Sequence, residues 1–134
     1  CGQYYPTKHK MDFTIVNLGT TIKTNVIEYL KEIQEEIPNN CINWAVEPQH
    51  STKRESSGGM GLSLMKDFIH FNKGKYQIIS GNEFWELDKQ NNNLNRLDYY
   101  FPGTIINIEI DQNDTNKYKY KEIAAQKIMD NKIF

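Results

Sequence analysis

The sequence contains few of the residues that mark several common classes of protein. Only two of its 134 residues are cysteines, Cys1 and Cys41, which is too few for a disulfide framework. No Cys/His cluster has the spacing of a zinc site, and the three histidines at positions 9, 50 and 70 lie far apart. We therefore expect no metal ligands among the histidines and predict that they are surface or packing residues.

Long apolar runs and arginine are also scarce. No stretch approaches the ~20 apolar residues that a membrane-spanning helix requires. Arginine occurs only at positions 54 and 96, and the lysines are scattered in a chain whose net charge is −1. This pattern argues against a nucleic-acid surface, which needs clustered positive charge. We predict neither a membrane nor a nucleic-acid partner, with the cytoplasm as the default location.

The remaining composition suits one folded domain over residues 1–134. Hydrophobic residues make up 38% and charged residues 25%, as in globular rather than disordered chains. Alternating and helical patterns predict a two-layer α+β sandwich, a mostly antiparallel mixed sheet with helices packed on one face. The predicted strands are residues 2–5, 11–17, 75–80, 83–87 and 104–111, and the predicted helices are 24–37, 41–46, 60–72 and 117–130.

Local signals set the boundaries of these elements. We expect Thr24 to cap the first helix and Gly74 to end the third. Gly81-Asn82 has the form of a two-residue hairpin turn. The Asn-rich segment 88–95 is interpreted as a loose linker.

A cluster of glycines gives the strongest functional signal. Gly58, Gly59 and Gly61 directly precede or begin the predicted helix 60–72. Free backbone N–H groups and the helix dipole make such a position suitable for binding an anion, most often phosphate. A flexible loop that happens to precede a helix is the alternative interpretation.

Two polar residues share faces with apolar strand residues. Asn17 follows Phe13 and Ile15 on one face of its strand, and Thr104 precedes the alternating isoleucines of residues 106–110. We expect both of these apolar faces to be buried. If the two strands are antiparallel, Asn17 and Thr104 lie at the same end of the sheet. A flat heterocycle such as adenine would satisfy both side chains, although Asn17 could instead cap the turn at residues 18–19.

Several motifs, in order, resemble those of the GHKL or Bergerat-fold ATPases, the family of sensor histidine kinases, the B subunit of gyrase, ninety-kilodalton heat-shock chaperones and mismatch-repair proteins. The resemblance covers roughly residues 11–111 and is strongest to the stand-alone histidine-kinase-like ATP-binding proteins of bacteria. The motifs are Ile-Val-Asn-Leu-Gly-Thr-Thr-Ile (15–22), Ser-Thr-Lys (51–53), Gly-Gly-Met-Gly-Leu-Ser-Leu (58–64) and Gly-Thr-Ile-Ile-Asn-Ile (103–108).

The resemblance implies that the chain binds ATP or ADP with Mg²⁺. Asn17 would take the place of the family's adenine-binding Asp, and Thr104 would complete the adenine pocket. Gly19 and Thr21 would stand at the first and second glycine positions of the family's first motif. Residues 49–57 would form a lid over the nucleotide. The implied lid and phosphate contacts are Thr52, Lys53, Gly59, Gly61 and Leu62.

The chain departs from the family's pattern at three points. Asn17 replaces an Asp, and Thr21 replaces a glycine. The catalytic Glu and magnesium-binding Asn belong to a helix upstream of the first strand, for which residues 1–10 have no room. We therefore name no catalytic residue, and ATPase or kinase activity stays open.

The N-terminal Cys1-Gly2 allows three interpretations. It could be a lipidated cysteine, the nucleophile of an N-terminal-nucleophile hydrolase, or part of a strand cut from a longer protein. We favour the third, an N-terminally truncated domain. The alternative to nucleotide binding is a degenerate, non-catalytic interaction module with the same fold, which would bind a protein partner or form a homodimer.

Overall fold

The computed structural model describes residues 1–53 and 60–118 of the chain. These residues form a four-stranded sheet of order β1-β2-β4-β3 in which each neighbouring pair is antiparallel. Three helices pack against the sheet, so the predicted α+β sandwich is confirmed. The strands are β1 (Gly2–Tyr5), β2 (Lys10–Leu18), β3 (Lys75–Asp88) and β4 (Asn91–Asp111), and the helices are α1 (Ile22–Glu32), α2 (Cys41–Ala45) and α3 (Met60–Asn72).

The main hydrophobic core lies between the helices and the β3-β4 half of the sheet. Trp85 and Tyr76 of β3 are its largest buried side chains, and their rings meet edge to face with centroids 5.4 Å apart. Ile42 of α2 and Ile69 of α3 are fully buried against them. These contacts hold α2 and α3 over β3.

The predicted hairpin at Gly81-Asn82 is wrong, because β3 runs without a break from Lys75 to Asp88. A bulge at residues 80–83 interrupts the regular pairing with β4 instead. The inward-facing residues are even-numbered before the bulge and odd-numbered after it, as Ile78 and Trp85 illustrate. An extra residue in a strand reverses its alternation in this way. Gly81 fits this position because its φ is +63°.

The loose linker predicted for residues 88–95 is also wrong. The turn takes only residues 89–90, and β4 begins at Asn91. Its asparagines pair with the end of β3, with Asn95 opposite Phe84 and Asn92 opposite Leu87. The polar composition reflects the exposure of this end of β4, while Trp85 and Leu87 of β3 supply the buried contacts.

Helix α1 begins earlier and ends earlier than predicted. Thr21, not Thr24, is its N-cap, since Thr21 Oγ1 accepts the backbone N–H of Thr24 at 3.1 Å. The helix ends at Glu32, and Ile33 and Ile37 beyond it are 43% and 46% exposed. Thr21 and Thr24 are both suitable N-cap residues by their type. In the structure the buried Thr21 has this role.

The predictions for α2 and α3 are confirmed, but Gly74 has a different role. Lys73, not Gly74, takes the left-handed conformation after α3, with φ +60°. A Cβ on Gly74 would lie 2.1 Å from the carbonyl oxygen of Glu109. Gly74 therefore allows the start of β3 to approach β4. The helix predicted for residues 117–130 lies outside the described residues except at positions 117 and 118.

The helices leave one side of β2 uncovered. Phe13 and Ile15 lie opposite Ile108 and Ile106 of β4, and directly paired residues share a face of the sheet. Both belong to the helix-bearing face, yet Phe13 is 39% and Ile15 57% exposed. The prediction that this face of β2 is buried is therefore wrong. We call Phe13, Ile15 and Asn17 the open face of β2.

Candidate functional site

Three polar side chains form a row across the sheet at one end of β2. Asn17 pairs with Thr104 of β4, and Thr104 pairs with Ser80 of β3. The prediction that Asn17 and Thr104 lie at the same end of the sheet is confirmed. Asn17 is exposed, Thr104 is half-buried and Ser80 is fully buried, so the row leads from solvent into the core.

Hydrogen bonds hold the inner part of this row in place. Ser80 Oγ donates to the carbonyl oxygen of Gly103 at 2.8 Å and accepts the backbone N–H of Ile22 at 2.9 Å. A third bond, 2.9 Å long, joins the hydroxyls of Ser80 and Thr104. The first residue of α1 is thereby tied to the same end of the sheet as Thr104.

Glycines shape the backbone around the row. Gly103 has φ +155°, and a Cβ there would lie 2.1 Å from the carbonyl oxygen of Asn17. Gly19 has φ +139°, and its N–H donates to the carbonyl oxygen of Pro102 at 3.1 Å. Both φ values lie in the range that favours glycine. The backbone conformation at position 19 therefore favours glycine independently of any role in ligand binding.

A surface cavity of about 330 Å³ lies next to this end of the sheet, between α1, α2, the segment after α2 and the start of α3. The apolar part of its wall comes from helices α1, α2 and α3, and its polar groups come mainly from residues 50–53. The lining residues are Ile22, Asn25, Val26, Trp44, Ala45, His50, Ser51, Thr52, Lys53, Gly61 and Leu62.

Four of the predicted site residues meet in this cavity. Thr52 and Lys53 line one side, and Gly61 and Leu62 of α3 line the other. Among the described residues, and apart from its chain neighbours and the backbone of α3, no atom lies within 4 Å of the position that a Cβ on Gly61 would occupy. The exposed Lys53 adds a positive charge at the cavity.

The other predicted site residues lie elsewhere. Asn17, Gly19 and Thr104 do not line the cavity. Thr21 is 2% exposed, and its hydroxyl is engaged by Thr24. Gly59 lies outside the described residues.

Ile22 joins the two groups of residues. Ile22 lines the cavity, and its backbone N–H donates to Ser80 Oγ, which is hydrogen-bonded to Thr104. The polar row and the cavity are therefore connected through a single residue and two hydrogen bonds.

An aromatic pair in the cavity wall was not predicted. The rings of Trp44 and His50 stack with centroids 4.3 Å apart and an angle of 14° between their planes. His50 Nδ1 also forms a 2.6 Å hydrogen bond with the carbonyl oxygen of Trp44. The prediction of a packing role for His50 agrees with this contact, but only the fold reveals which residue it packs on.

The surroundings of the buried cysteine disfavour its thiolate form. Burial, with a smaller contribution from Glu83, raises the pKa of the Cys41 thiol to about 11. A thiol that stays protonated at neutral pH is a poor nucleophile. Glu83 itself is 4% exposed, and its Oε2 accepts the backbone N–H groups of Cys41 and Ile42 at 2.8 and 3.3 Å.

Within residues 1–53 and 60–118, no group of three or more His, Cys, Asp or Glu side chains could hold a metal ion. In the same part of the chain, no helix is long and apolar enough to cross a membrane. Comparisons with protein-family models, curated proteins and solved structures find no match to this chain.

Proposed function

We propose that the chain is an ATP- or ADP-binding domain of the GHKL type. The observation that carries this proposal is the link through Ile22 between the polar row of the sheet and the cavity at α3. A nucleotide has a planar base with polar edges and an anionic phosphate tail. The polar row suits the base, and the cavity at α3 suits the phosphates.

The base would bind at Asn17 and Thr104. The Asn17 amide offers a donor and an acceptor, which allows paired hydrogen bonds to the edge of adenine. Phe13 and Ile15, beside Asn17 on the open face, supply exposed apolar surface for the ring. Because Asn17 carries no charge, its bond to the base would be weaker than the bond that an Asp makes.

The phosphates would bind at the start of α3. The first N–H groups of a helix have no partner within the helix, and the dipole there favours negative charge. Gly61 leaves the backbone accessible, and Lys53 and Thr52 lie in the same cavity. The contribution of Gly59 remains a prediction.

Mg²⁺ would enter this site with the phosphates. None of the described residues that line the cavity is a carboxylate, and Mg²⁺ commonly keeps substrate phosphates and water among its ligands. The ion would neutralise phosphate charge. We assign no general base among the described residues, so the proposal concerns binding and not turnover.

Calorimetric titration of ADP with Mg²⁺ tests the proposal. We expect saturable binding that Thr104→Val weakens by about fivefold or more, through one lost hydrogen bond. Thr14→Val is the matched control, because it removes a hydroxyl that donates to Asn107 Oδ1 at 2.7 Å between the same two strands. Thr14 lies on the opposite face of β2 from Asn17, so this control should not alter affinity. Absence of ADP binding by the folded wild type would overturn the proposal.

The exposure of β2 favours a second function, that of a protein-interaction module without nucleotide. Phe13 and Ile15 are 39% and 57% exposed on the face of the sheet that elsewhere forms the core. Adjacent exposed apolar side chains are typical of association surfaces. A folded protein that binds no ADP but associates through this surface would support the second function.

A further inference from the structure

Ser80 is the innermost residue of the polar row, and its hydrogen-bonding capacity is filled. The side chain is fully buried, and three partners lie within 2.9 Å of its oxygen: Gly103 O, Ile22 N and Thr104 Oγ1. A serine hydroxyl has one proton to donate and two lone pairs to accept with.

These three bonds determine where the protons lie. The carbonyl oxygen of Gly103 can only accept, so the Ser80 proton is directed to it. The N–H of Ile22 can only donate, so it occupies one lone pair of Ser80 Oγ. The remaining lone pair faces Thr104, and the Thr104 hydroxyl must therefore donate its proton to Ser80.

We infer that Ser80 is a positioning residue that makes Thr104 a pure hydrogen-bond acceptor toward a ligand. This inference rests on the proposed function, because it concerns a base bound at Thr104. An amino group at position 6 of a purine can donate to Thr104 Oγ1. A 6-oxo group would instead place a second acceptor against it, and two facing acceptors repel each other. Ser80 thus gives the site a preference for 6-aminopurines over 6-oxopurines.

Asn17 cannot supply this preference by itself. Its amide carries both a donor and an acceptor, and a rotation of about 180° exchanges them. Asn17 is exposed, so it can adopt either orientation. The Thr104 hydroxyl cannot exchange donor and acceptor in this way while it donates its proton to Ser80.

The experiment compares the dissociation constants of ADP and inosine diphosphate for three proteins: wild type, Ser80→Ala and Thr14→Val. We expect the wild type and Thr14→Val to prefer ADP by about tenfold or more, the scale of one mismatched polar contact. In Ser80→Ala the Thr104 hydroxyl can rotate and donate, so the preference should fall toward unity. A purely structural loss would weaken both ligands equally and leave their ratio unchanged.

Thr104→Val provides a second variant in case Ser80→Ala does not fold. It keeps the bonds from Ser80 to Gly103 and Ile22, and it should weaken ADP while leaving inosine diphosphate unchanged or tighter. Equal affinity of the wild type for both ligands would overturn the inference and leave the proposed function standing. An unchanged ratio in Ser80→Ala or Thr104→Val would also overturn it. Binding of neither ligand would refute the proposed function, and the inference with it.

Discussion

Glu83 of β3 holds the start of α2 by accepting the backbone N–H of Cys41 at 2.8 Å, 42 residues away in the sequence. The same carboxylate oxygen accepts the N–H of Ile42 at 3.3 Å, and Lys23 lies 3.5 Å from the other oxygen. The carboxylate therefore adds to the local cap Asn40, whose side chain accepts the backbone N–H of Asn43 at 2.8 Å, on a helix of only five residues.

Glu83→Ala should lower the free energy of unfolding by about 1–3 kcal/mol, because it leaves two buried N–H groups without their acceptor. Chemical denaturation monitored by tryptophan fluorescence measures the change, since Trp85 lies two positions away in the core. Glu86→Ala is the matched control. Its carboxylate is half-buried and accepts from the side chains of Gln77 and Asn93 but from no helix terminus. Equal losses in the two variants would contradict the capping role.

Substitution of Gly61 should separate ligand binding from folding. A Cβ on Gly61 meets no atom of another described element within 4 Å, so we expect Gly61→Val to fold. The new side chain would obstruct the approach of phosphate to the start of α3. We expect the affinity for ADP to fall by about tenfold or more, the scale of one or two lost charge-assisted hydrogen bonds, while the affinity for adenosine changes little.

Titration of both ligands, together with the thermal midpoint of the variant, checks this expectation. Gly61→Ala is the graded control, since it adds a single methyl group and improves helix propensity by up to about 1 kcal/mol. If ADP and adenosine lose affinity equally in Gly61→Val, the phosphates do not bind there.

The alternation of β2 and of residues 104–111 was sufficient to predict that Asn17 and Thr104 lie at the same end of the sheet if the two strands are antiparallel. Their direct pairing is a finding of the structure. The bulge in β3 could not be predicted locally, because a reversal of alternation at Gly81 is also what a hairpin produces. Nothing in the local sequence around Ser80 and Glu83 indicated their hydrogen-bonding roles. Their partners lie more than 20 residues away, and only the folded chain brings those backbone groups to them.

The buried thiol of Cys41 should make folding stability depend on alkaline pH. Its pKa is raised from 9.0 to about 11, chiefly by burial. Between these values the unfolded chain releases a proton that the folded chain keeps, so the free energy of unfolding should fall as the pH rises from 9 to 11. Below pH 9 this contribution is constant.

Denaturation at a series of pH values from 8 to 11 measures this slope. Cys41→Ala should reduce it over the same interval, and the remaining slope includes Tyr76, whose pKa burial also raises. Cys1→Ala is the control because Cys1 is exposed. An unchanged slope in Cys41→Ala would show that the thiol ionises equally well in both states.

Ile15 and Val16 offer a direct test of association through the open face of β2. They are neighbours in one strand, each is 57% exposed, and they point to opposite faces of the sheet. Only Ile15 lies beside Phe13 on the helix-bearing face. If this face binds a second copy of the chain, Ile15→Lys should shift the protein toward monomer, because a charge there would lose its hydration in the contact.

Val16→Lys carries the same charge at equal exposure and should leave association unchanged. Sedimentation velocity over a range of protein concentrations distinguishes the two. A wild type that is monomeric at every concentration, or variants that dissociate to the same extent, would exclude self-association through this face. ADP titrations of the same variants then show whether Ile15 serves the base instead, since Ile15→Lys would weaken binding and Val16→Lys would not.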